Sequence, residues 1–429
     1  MKTDERTKAV ELPPEPAAPP PPGRANKVCI FTETYYPEIG GGERQAQSLS
    51  EALIDYGFQA FVLTRRSHPS FKRVEQLRGI KVYRLPPSGS ARAKKWCLLL
   101  TSLPALIQLR RQFDLIFVSG FRIIGVPAVL VTKLLRKVCI LKADSLGEMS
   151  GDYFLAGLAK TGLGRSSLPF RITLPLRNAL LKQADIFVAI SEEIATELVT
   201  NGIDPNNIKI IPNSVDTNRF HPVSFHEKLE LRRKLGLPSE GKIFIFTGRL
   251  VTYKGLPLLL RVWKEIHCIH PDINLLIVGD GGFDIHNCEV DLKEYVRKNE
   301  LSDCIRFIGS VHNVHEYLQA SDVFVFPTEN EAFGISLIEA MACGLPCIST
   351  TVGGLKDILE HLQNGLVVEA GDFQQLYLAL ERLITDSTLA VRLGEAGRQT
   401  VEERYSMEII SQKYMNLFQK LASQNGKVS

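Results

Sequence analysis

Glu331 and Glu339 bracket the run Glu331-Ala332-Phe333-Gly334-Ile335-Ser336-Leu337-Ile338-Glu339. Arg249 and Lys254 bracket a second short run, Arg249-Leu250-Val251-Thr252-Tyr253-Lys254, with Gly248 before it and Gly255 after. An ionised carboxylate only accepts hydrogen bonds, so it suits hydroxyl groups rather than phosphate. A guanidinium presents a planar fork of donors and an ammonium a mobile point charge; together they suit a diphosphate. Each piece alone has a plainer reading. An acid near a helix start is favoured by the helix dipole, and a lone Arg or Lys in a loop is usually solvated.

The elements around these residues give the spacing its meaning. Val323-Phe324-Val325-Phe326 reads as a buried strand ended by Pro327, and Ile335 to Cys343 as a helix. Glu331 then lies in the connecting loop and Glu339 about one turn into the helix. Gly344-Leu345-Pro346 leads into a further apolar run at Cys347–Thr350. Likewise Gly248–Gly255 joins the strand Ile243–Thr247 to an apolar helix from Leu256 to Ile266. A helix N-terminus at the carboxyl end of a parallel strand is where α/β proteins bind anions.

The same alternation runs through the chain. Strands are expected at Val28–Thr32, Ala60–Thr64, Ile80–Leu85, Leu115–Ser119, Val138–Leu141, Ile186–Ile190 and Ile208–Ile211. After a polar break they resume at Ile243–Thr247, Asn274–Val278, Ile305–Ile308, Val323–Phe326, Cys347–Thr350 and Leu366–Val368. Helical patterns lie between most of them, which predicts two doubly wound parallel sheets. The expected division is a disordered Pro-rich tail at 1–26, a Rossmann-like domain at 27–212 and a linker at 213–241. A second Rossmann-like domain follows at 242–405, then a terminal helix at 406–429. The fold class is α/β, two Rossmann-like doubly wound domains facing a central cleft.

Other residues fall at strand ends. Gly40-Gly41-Gly42 follows the first strand; it either brings backbone N–H groups close to an oxyanion or makes a tight turn. Asp144 and Glu148 follow the strand Val138–Leu141. Asp144 could orient a reacting hydroxyl, take its proton, or cap its loop. Ser191 reads as a helix N-cap. Gly279-Asp280-Gly281-Gly282 is not a dinucleotide fingerprint, because Asp284 stands where its last glycine would be.

Taken together, Glu331 to Glu339, the following Gly344-Leu345-Pro346, and Arg249 with Lys254 resemble the donor-binding signature of the retaining GT-B glycosyltransferases of family 4. The resemblance covers the C-terminal half closely and the N-terminal half more loosely. It implies a GT-B fold, with the last helix, Met407 to Ala422, returning to the N-terminal domain. It implies a nucleotide-diphosphate sugar donor, with Arg249 and Lys254 on the diphosphate, Glu339 on the ribose and Glu331 at the sugar. Gly41, Gly42 and Gly334 would line the donor, and Ser310, ending the third strand of the second domain, the nucleobase. Many members carry a His after the strand that here ends at Leu141. This chain has none there; Asp144 stands closest, as a catalytic candidate, with Glu148 as a candidate for the acceptor. A GT-B-like epimerase or phosphorylase would share the cleft, and so would a non-catalytic nucleotide-sugar-binding protein.

Composition sets outer limits. The chain has 429 residues, 45% of them hydrophobic, and a net charge of +4, which does not argue for nucleic acid. Cys29, Cys139 and Cys347 sit in apolar runs, as reduced core residues do, which suits the cytoplasm. No signal peptide or membrane-spanning run is evident, and no Asp-x-Asp occurs, so neither a metal nor any other cofactor is expected. The nine His and eight Cys show no zinc spacing; His312 and His315 read as surface residues. Between Arg65 and Arg111 twelve Lys or Arg stand against the single acid Glu75, beside Trp96 and Leu98–Leu100. That stretch is either a solvated face or a contact with an anionic membrane, at the inner face, where a lipid-linked or glycan acceptor would lie.

Overall fold

Near-continuous apolar runs, rather than alternating ones, mark strands covered on both faces. Leu115–Ser119 and Val323–Phe326 are of this kind, buried at every position. The computed structural model describes residues 27–38, 40–89, 96–152, 168–282 and 284–425. The expected tail at 1–26 and the basic residues Arg92, Lys94 and Lys95 lie outside these.

The N-terminal half holds eight strands: β1 (Lys27–Thr32), β2 (Gln59–Arg65), β3 (Val74–Leu77), β4 (Ile80–Leu85), β5 (Leu115–Ser119), β6 (Val138–Ala143), β7 (Ile186–Ala189) and β8 (Ile208–Ile210). They order as β3-β4-β2-β1-β5-β6-β7-β8, all parallel except the β3–β4 pair. β3 escapes sequence reading because it is a four-residue edge strand of alternating, half-exposed polarity. The C-terminal half holds β9 (Lys242–Thr247), β10 (Ile273–Val278), β11 (Ile305–Gly309), β12 (Val323–Phe326), β13 (Cys347–Ser349) and β14 (Leu366–Val367). Their order is β11-β10-β9-β12-β13-β14, with every pair parallel.

Both sheets reverse strand order at their first strand. β1 lies between β2 and β5, and β9 between β10 and β12. A crevice opens at such a switch point, beyond the carboxyl ends of the strands. The helices that frame the two crevices are α1 (Gly41–Asp55) after β1 and α6 (Leu256–Ile269) after β9, with α7 (Ile335–Ala342) after β12. On the N-terminal half α2 (Leu98–Gln108), α3 (Gly125–Leu135) and α4 (Leu168–Leu181) pack side by side, and α5 (Glu192–Thr200) follows β7. Ser191 caps α5, its hydroxyl accepting from the Ile194 N–H.

The last helix, α8 (Met407–Asn425), leaves the C-terminal half and lies on the N-terminal sheet. Tyr414 and Phe418 set their rings 5.4 and 5.7 Å from Phe117 of β5. The two crossings between halves are tied at one place, where the Met407 N–H donates to Val215 O and the Val215 N–H to Tyr405 O, both at 2.9 Å. The two switch-point crevices are thereby held face to face.

Candidate functional site

Lys254 ends a short 3-10 turn, Thr252–Lys254, between β9 and α6. Gly255 follows at φ +74°, where an added Cβ would meet Pro327 O at 1.8 Å, so only glycine permits this approach to the β12 loop. The turn aims Lys254 inward: its side chain is buried, with the ammonium 2.7 Å from Glu331 Oε2 and 3.2 Å from Asn330 O. The same ammonium lies 5.1 Å from the Phe326 ring centroid. The first sequence-predicted cation and carboxylate thus form one pair, between two neighbouring strand ends. Arg249 sits on the other side of Tyr253 and points outward, 60% exposed. Its guanidinium donates to Asp284 Oδ2 at 2.5 Å and to the Tyr253 hydroxyl at 2.8 Å.

Glu339 is on the buried face of α7, among Leu337, Ile338, Ala340 and Met341. Burial pushes its carboxyl above the usual carboxylate range, and Arg44 pulls it back. Arg44 belongs to α1 of the opposite half, and its Nη1 donates to Glu339 Oε1 at 3.1 Å. Gly334 caps α7 at φ +109°; a Cβ there would strike Leu355 Cδ2 at 2.4 Å. Gly41, first residue of α1, faces the start of α7, because a Cβ on it would come within 2.8 Å of Ile335 Cδ1. Gly42 faces Asp144 instead, at 3.9 Å by the same measure. The glycine loop therefore lies between α7 and the N-terminal acids. Ser310 is exposed beyond β11, at the edge of the sheet and away from this cluster.

Asp144 is tethered rather than free. Lys142 and Ser119 both donate to it, Ser119 at 2.7 Å, and Lys142 also donates to Asn213 Oδ1 at 3.1 Å. Glu148 folds back under the loop, where Oε1 accepts from the Asp144 N–H at 3.0 Å and from Ser145 Oγ at 3.2 Å. Its Oε2 is buried with no hydrogen-bond partner. Burial raises the Glu148 carboxyl to about 7; Arg122, 3.9 Å away, works against the shift, and the Asp144 charge adds to it. A second contact spans the cleft where the Glu192 N–H donates to Asp357 Oδ2 at 2.9 Å.

Sequence reading missed Lys142 and Arg44. Lys142 had a signal: a buried strand that carries a lysine near its carboxyl end needs a nearby anion. Arg44 is a cation in the first turn of a helix, where the dipole disfavours it. The expectation for His315 is corrected. It is half-buried, because its ring packs 6.0 Å from Phe220 and accepts from Arg219 Nε at 3.3 Å. The basic stretch needs correction too. Arg65 and Arg84 are interior; Arg84 donates to Glu75 at 2.7 Å and to Tyr36 O at 2.6 Å. Leu98 is buried, while Leu100 is exposed.

Two crevices joined by a glycine loop, with a lysine–glutamate pair at one switch point, mark the cleft of a two-domain α/β fold. Residues 39–219 match the family described as Glycosyltransferase Family 4, and residues 227–400 the one described as Glycosyl transferases group 1. The chain is 25% identical to N-acetyl-alpha-D-glucosaminyl L-malate synthase of Bacillus anthracis, over 92% of this chain and 98% of that one. It is 26% identical to D-inositol 3-phosphate glycosyltransferase of Corynebacterium jeikeium, over 83% and 86%. Among solved structures it is similar to Anabaena HepE in complex with UDP-glucose, with a TM-score of 0.74 and 19% identity, over 92% and 100%. The chain belongs to the GT-B glycosyltransferases of family 4.

Proposed function

We propose that this glycosyltransferase moves a hexosyl group from a nucleotide-diphosphate sugar to an acceptor hydroxyl with retention of configuration, without a metal on the diphosphate. The observation that carries the reading is the Lys254–Glu331 pair, 2.7 Å apart at the β9 and β12 ends, beneath the N-terminus of α7. The donor diphosphate takes Lys254 and Arg249 as its counter-charges, Arg249 turning from Asp284. Glu339 accepts from the ribose hydroxyls, and Glu331 holds the sugar. Gly41, Gly42 and Gly334 admit the phosphates and sugar closely, and Ser310 lies toward the nucleobase. Solved HepE holds UDP-glucose, which supports a uridine donor.

In the reacting step the acceptor oxygen bonds to the anomeric carbon as the bond from that carbon to the β-phosphate oxygen breaks. The electron pair stays on the phosphate, whose oxygen also receives the acceptor proton on the same face. Lys254 stabilises the charge as it grows. Asp144, held by Lys142 and Ser119, orients the acceptor hydroxyl, with Glu148 supporting its loop.

The acceptor is a glycan or a lipid-linked molecule at an anionic membrane surface, reached from the cytoplasm. The name of the Corynebacterium relative specifies D-inositol 3-phosphate, an anionic polyol. α2, α3 and α4 contain no Asp or Glu, yet expose Leu100, Leu134, Ile172 and Leu176 beside Arg110, Arg136 and Arg171. All eight cysteines are unpaired, in keeping with a reducing compartment. No helix among the described residues is long and apolar enough to cross a membrane.

Incubation with UDP-, GDP- and ADP-sugars tests the reading. Slow release of nucleoside diphosphate from one donor, unaffected by chelator, is expected. Proton NMR of the transferred sugar should show the donor's anomeric configuration. Binding of a nucleoside diphosphate with no turnover of any donor would indicate a non-catalytic binder instead.

A further inference from the structure

Arg44 and Glu339 are each awkward in their own helix. Arg44 stands in the first turn of α1, where the positive end of the dipole opposes a cation. Glu339 is a carboxylate among apolar neighbours on α7, where burial without a partner is costly. They are 295 residues apart in sequence and meet across the cleft at 3.1 Å, with side chains 29% and 9% exposed. We propose that Arg44 is a positioning residue of the donor site, reaching from the opposite domain to hold the Glu339 carboxylate ionised and aimed for the nucleotide ribose. The proposal rests on the ribose role given to Glu339 above.

The other charged groups around Glu339 have duties elsewhere. Arg219, from the segment after β8, donates to His315 Nδ1 at 3.3 Å and to His312 O at 2.7 Å. It acts on Glu339 through its field, whereas Arg44 adds a hydrogen bond. Arg398, in the helix Ser387–Arg404, donates to Ala342 O at 2.6 Å and to Phe220 O at 2.8 Å, closing the end of α7. His315 of the helix Val314–Gln319 is held below its usual range by burial and by Arg219, and so adds little positive charge near neutrality. The Cys343 thiol, next after α7, is raised by burial and by Glu339 and stays neutral. Arg44 is thus the cation that turns a buried acid into a usable acceptor, and it makes the donor site depend on the N-terminal domain being in place.

The sign of the pH dependence follows. Only ionised Glu339 accepts from two ribose hydroxyls, so affinity for nucleotide falls as pH drops through its raised pKa. Loss of Arg44 moves that pKa further up, and the fall begins at higher pH.

The test is calorimetry with UDP, GDP and ADP on the full chain, between pH 5.5 and 8.5, using whichever the unaltered protein binds. Arg44→Ala should weaken binding on the order of tenfold at the acid end, as loss of a partner that orients a ligating group does. The weakening should diminish toward pH 8.5, and Arg44→Lys should restore the parent's pH profile. Added to Glu339→Gln, Arg44→Ala should cost nothing more, because two residues acting as one unit are not additive. An unchanged, pH-independent affinity in Arg44→Ala overturns the proposal. So does a full additive loss in the double variant, which would mean that Arg44 touches the nucleotide itself. If Glu339→Gln alone binds like the parent, the ribose role fails first and takes this inference with it.

Discussion

The two faces of the cleft are built on different plans. On the C-terminal face each charged group is set by one contiguous strand–loop–helix segment, and Lys254 meets Glu331, 77 residues on, across neighbouring strands β9 and β12. On the N-terminal face Asp144 depends on Lys142, which in turn depends on Asn213, 71 residues on. Glu148 beside them has one oxygen satisfied and the other orphaned in the interior. One face carries cations already paired with carboxylates, Lys254 with Glu331 and Arg249 with Asp284, while the other keeps its acids buried or tied. A donor diphosphate has the same charge whatever sugar it carries, so its site can be fixed by a short motif. An acceptor varies, and in the proposed reading the face that meets it carries acids that are buried or tethered by neighbouring side chains.

The comparison is broken most directly at Lys254. Lys254→Ala removes the buried cation and leaves Glu331 without its ion-pair partner. If the donor face works as a charge clamp, turnover should fall by about 2–4 kcal/mol of transition-state stabilisation, the scale of one oxyanion donor. Single-turnover kinetics with the preferred donor measure it. A rate within about threefold of the parent, well under that scale, would dissolve the clamp.

The acid face gives the next largest effect, and it is read in stability. The Glu148 carboxyl is raised to about 7 by burial. A raised carboxyl favours the folded state while it is protonated, so its contribution is full below the usual carboxylate range. That contribution is lost as pH climbs toward about 7, at most about 3 kcal/mol for such a displacement. Glu148→Gln cannot ionise. Its melting temperature relative to the parent should therefore rise between pH 5 and pH 8. A constant difference across that range would mean that the carboxyl is not strained. Asp144→Asn leaves the Lys142 ammonium buried with one charged partner fewer. It should lower both the melting temperature and transfer, with donor binding nearly intact; undiminished transfer would leave Asp144 a loop support only.

The same contrast explains what could be read from the sequence. The strand series, and with it the two doubly wound sheets, were legible because parallel strands buried on both faces write themselves as unbroken apolar runs. Glu331, Lys254 and Glu339 were legible because the elements that place them are contiguous. Arg44 was not, since its partner lies in the other domain and no local spacing links them. The role of Arg65 and Arg84 was misread because charge counted along a chain does not reveal which side chains turn inward to pair with Glu75 or a carbonyl. β3 was invisible because it is a four-residue edge strand with two polar residues and no buried position.

A smaller effect sharpens the donor face itself. Glu339→Gln keeps the shape and loses the charge, so nucleoside diphosphate should bind about tenfold more weakly, roughly 1.4 kcal/mol. Glu331→Gln should bind the bare diphosphate much as the parent does and lose turnover instead, if it holds the sugar as proposed. Calorimetry with UDP separates the two. Equal losses in both variants would mean that the glutamates form one undivided site.

The smallest effect per residue concerns the outer side of the acid face. Three neighbouring helices, α2 to α4, expose leucines and contain no acid, a combination that costs solubility unless something covers it. Leu100, Leu134 and Leu176 are 75%, 72% and 63% exposed, and Arg110, Arg136 and Arg171 are exposed on, or within two residues of the end of, the same helices. Each cation close to an anionic bilayer contributes about 1 kcal/mol, and salt screens it. Leucines dipping into the interface add a part that salt does not touch. The protein should co-sediment with phosphatidylserine-containing vesicles at low salt and partly detach at high salt. Arg110→Glu, Arg136→Glu and Arg171→Glu together should abolish the salt-sensitive part, and Leu100→Ser with Leu134→Ser and Leu176→Ser the remainder. Donor affinity should be unchanged in both sets, because α2 to α4 contain none of the residues proposed for the donor site. Equal sedimentation with anionic and neutral vesicles would reassign the face to a protein or a soluble acceptor, and the acid face would then be selective for a glycan rather than for a lipid headgroup.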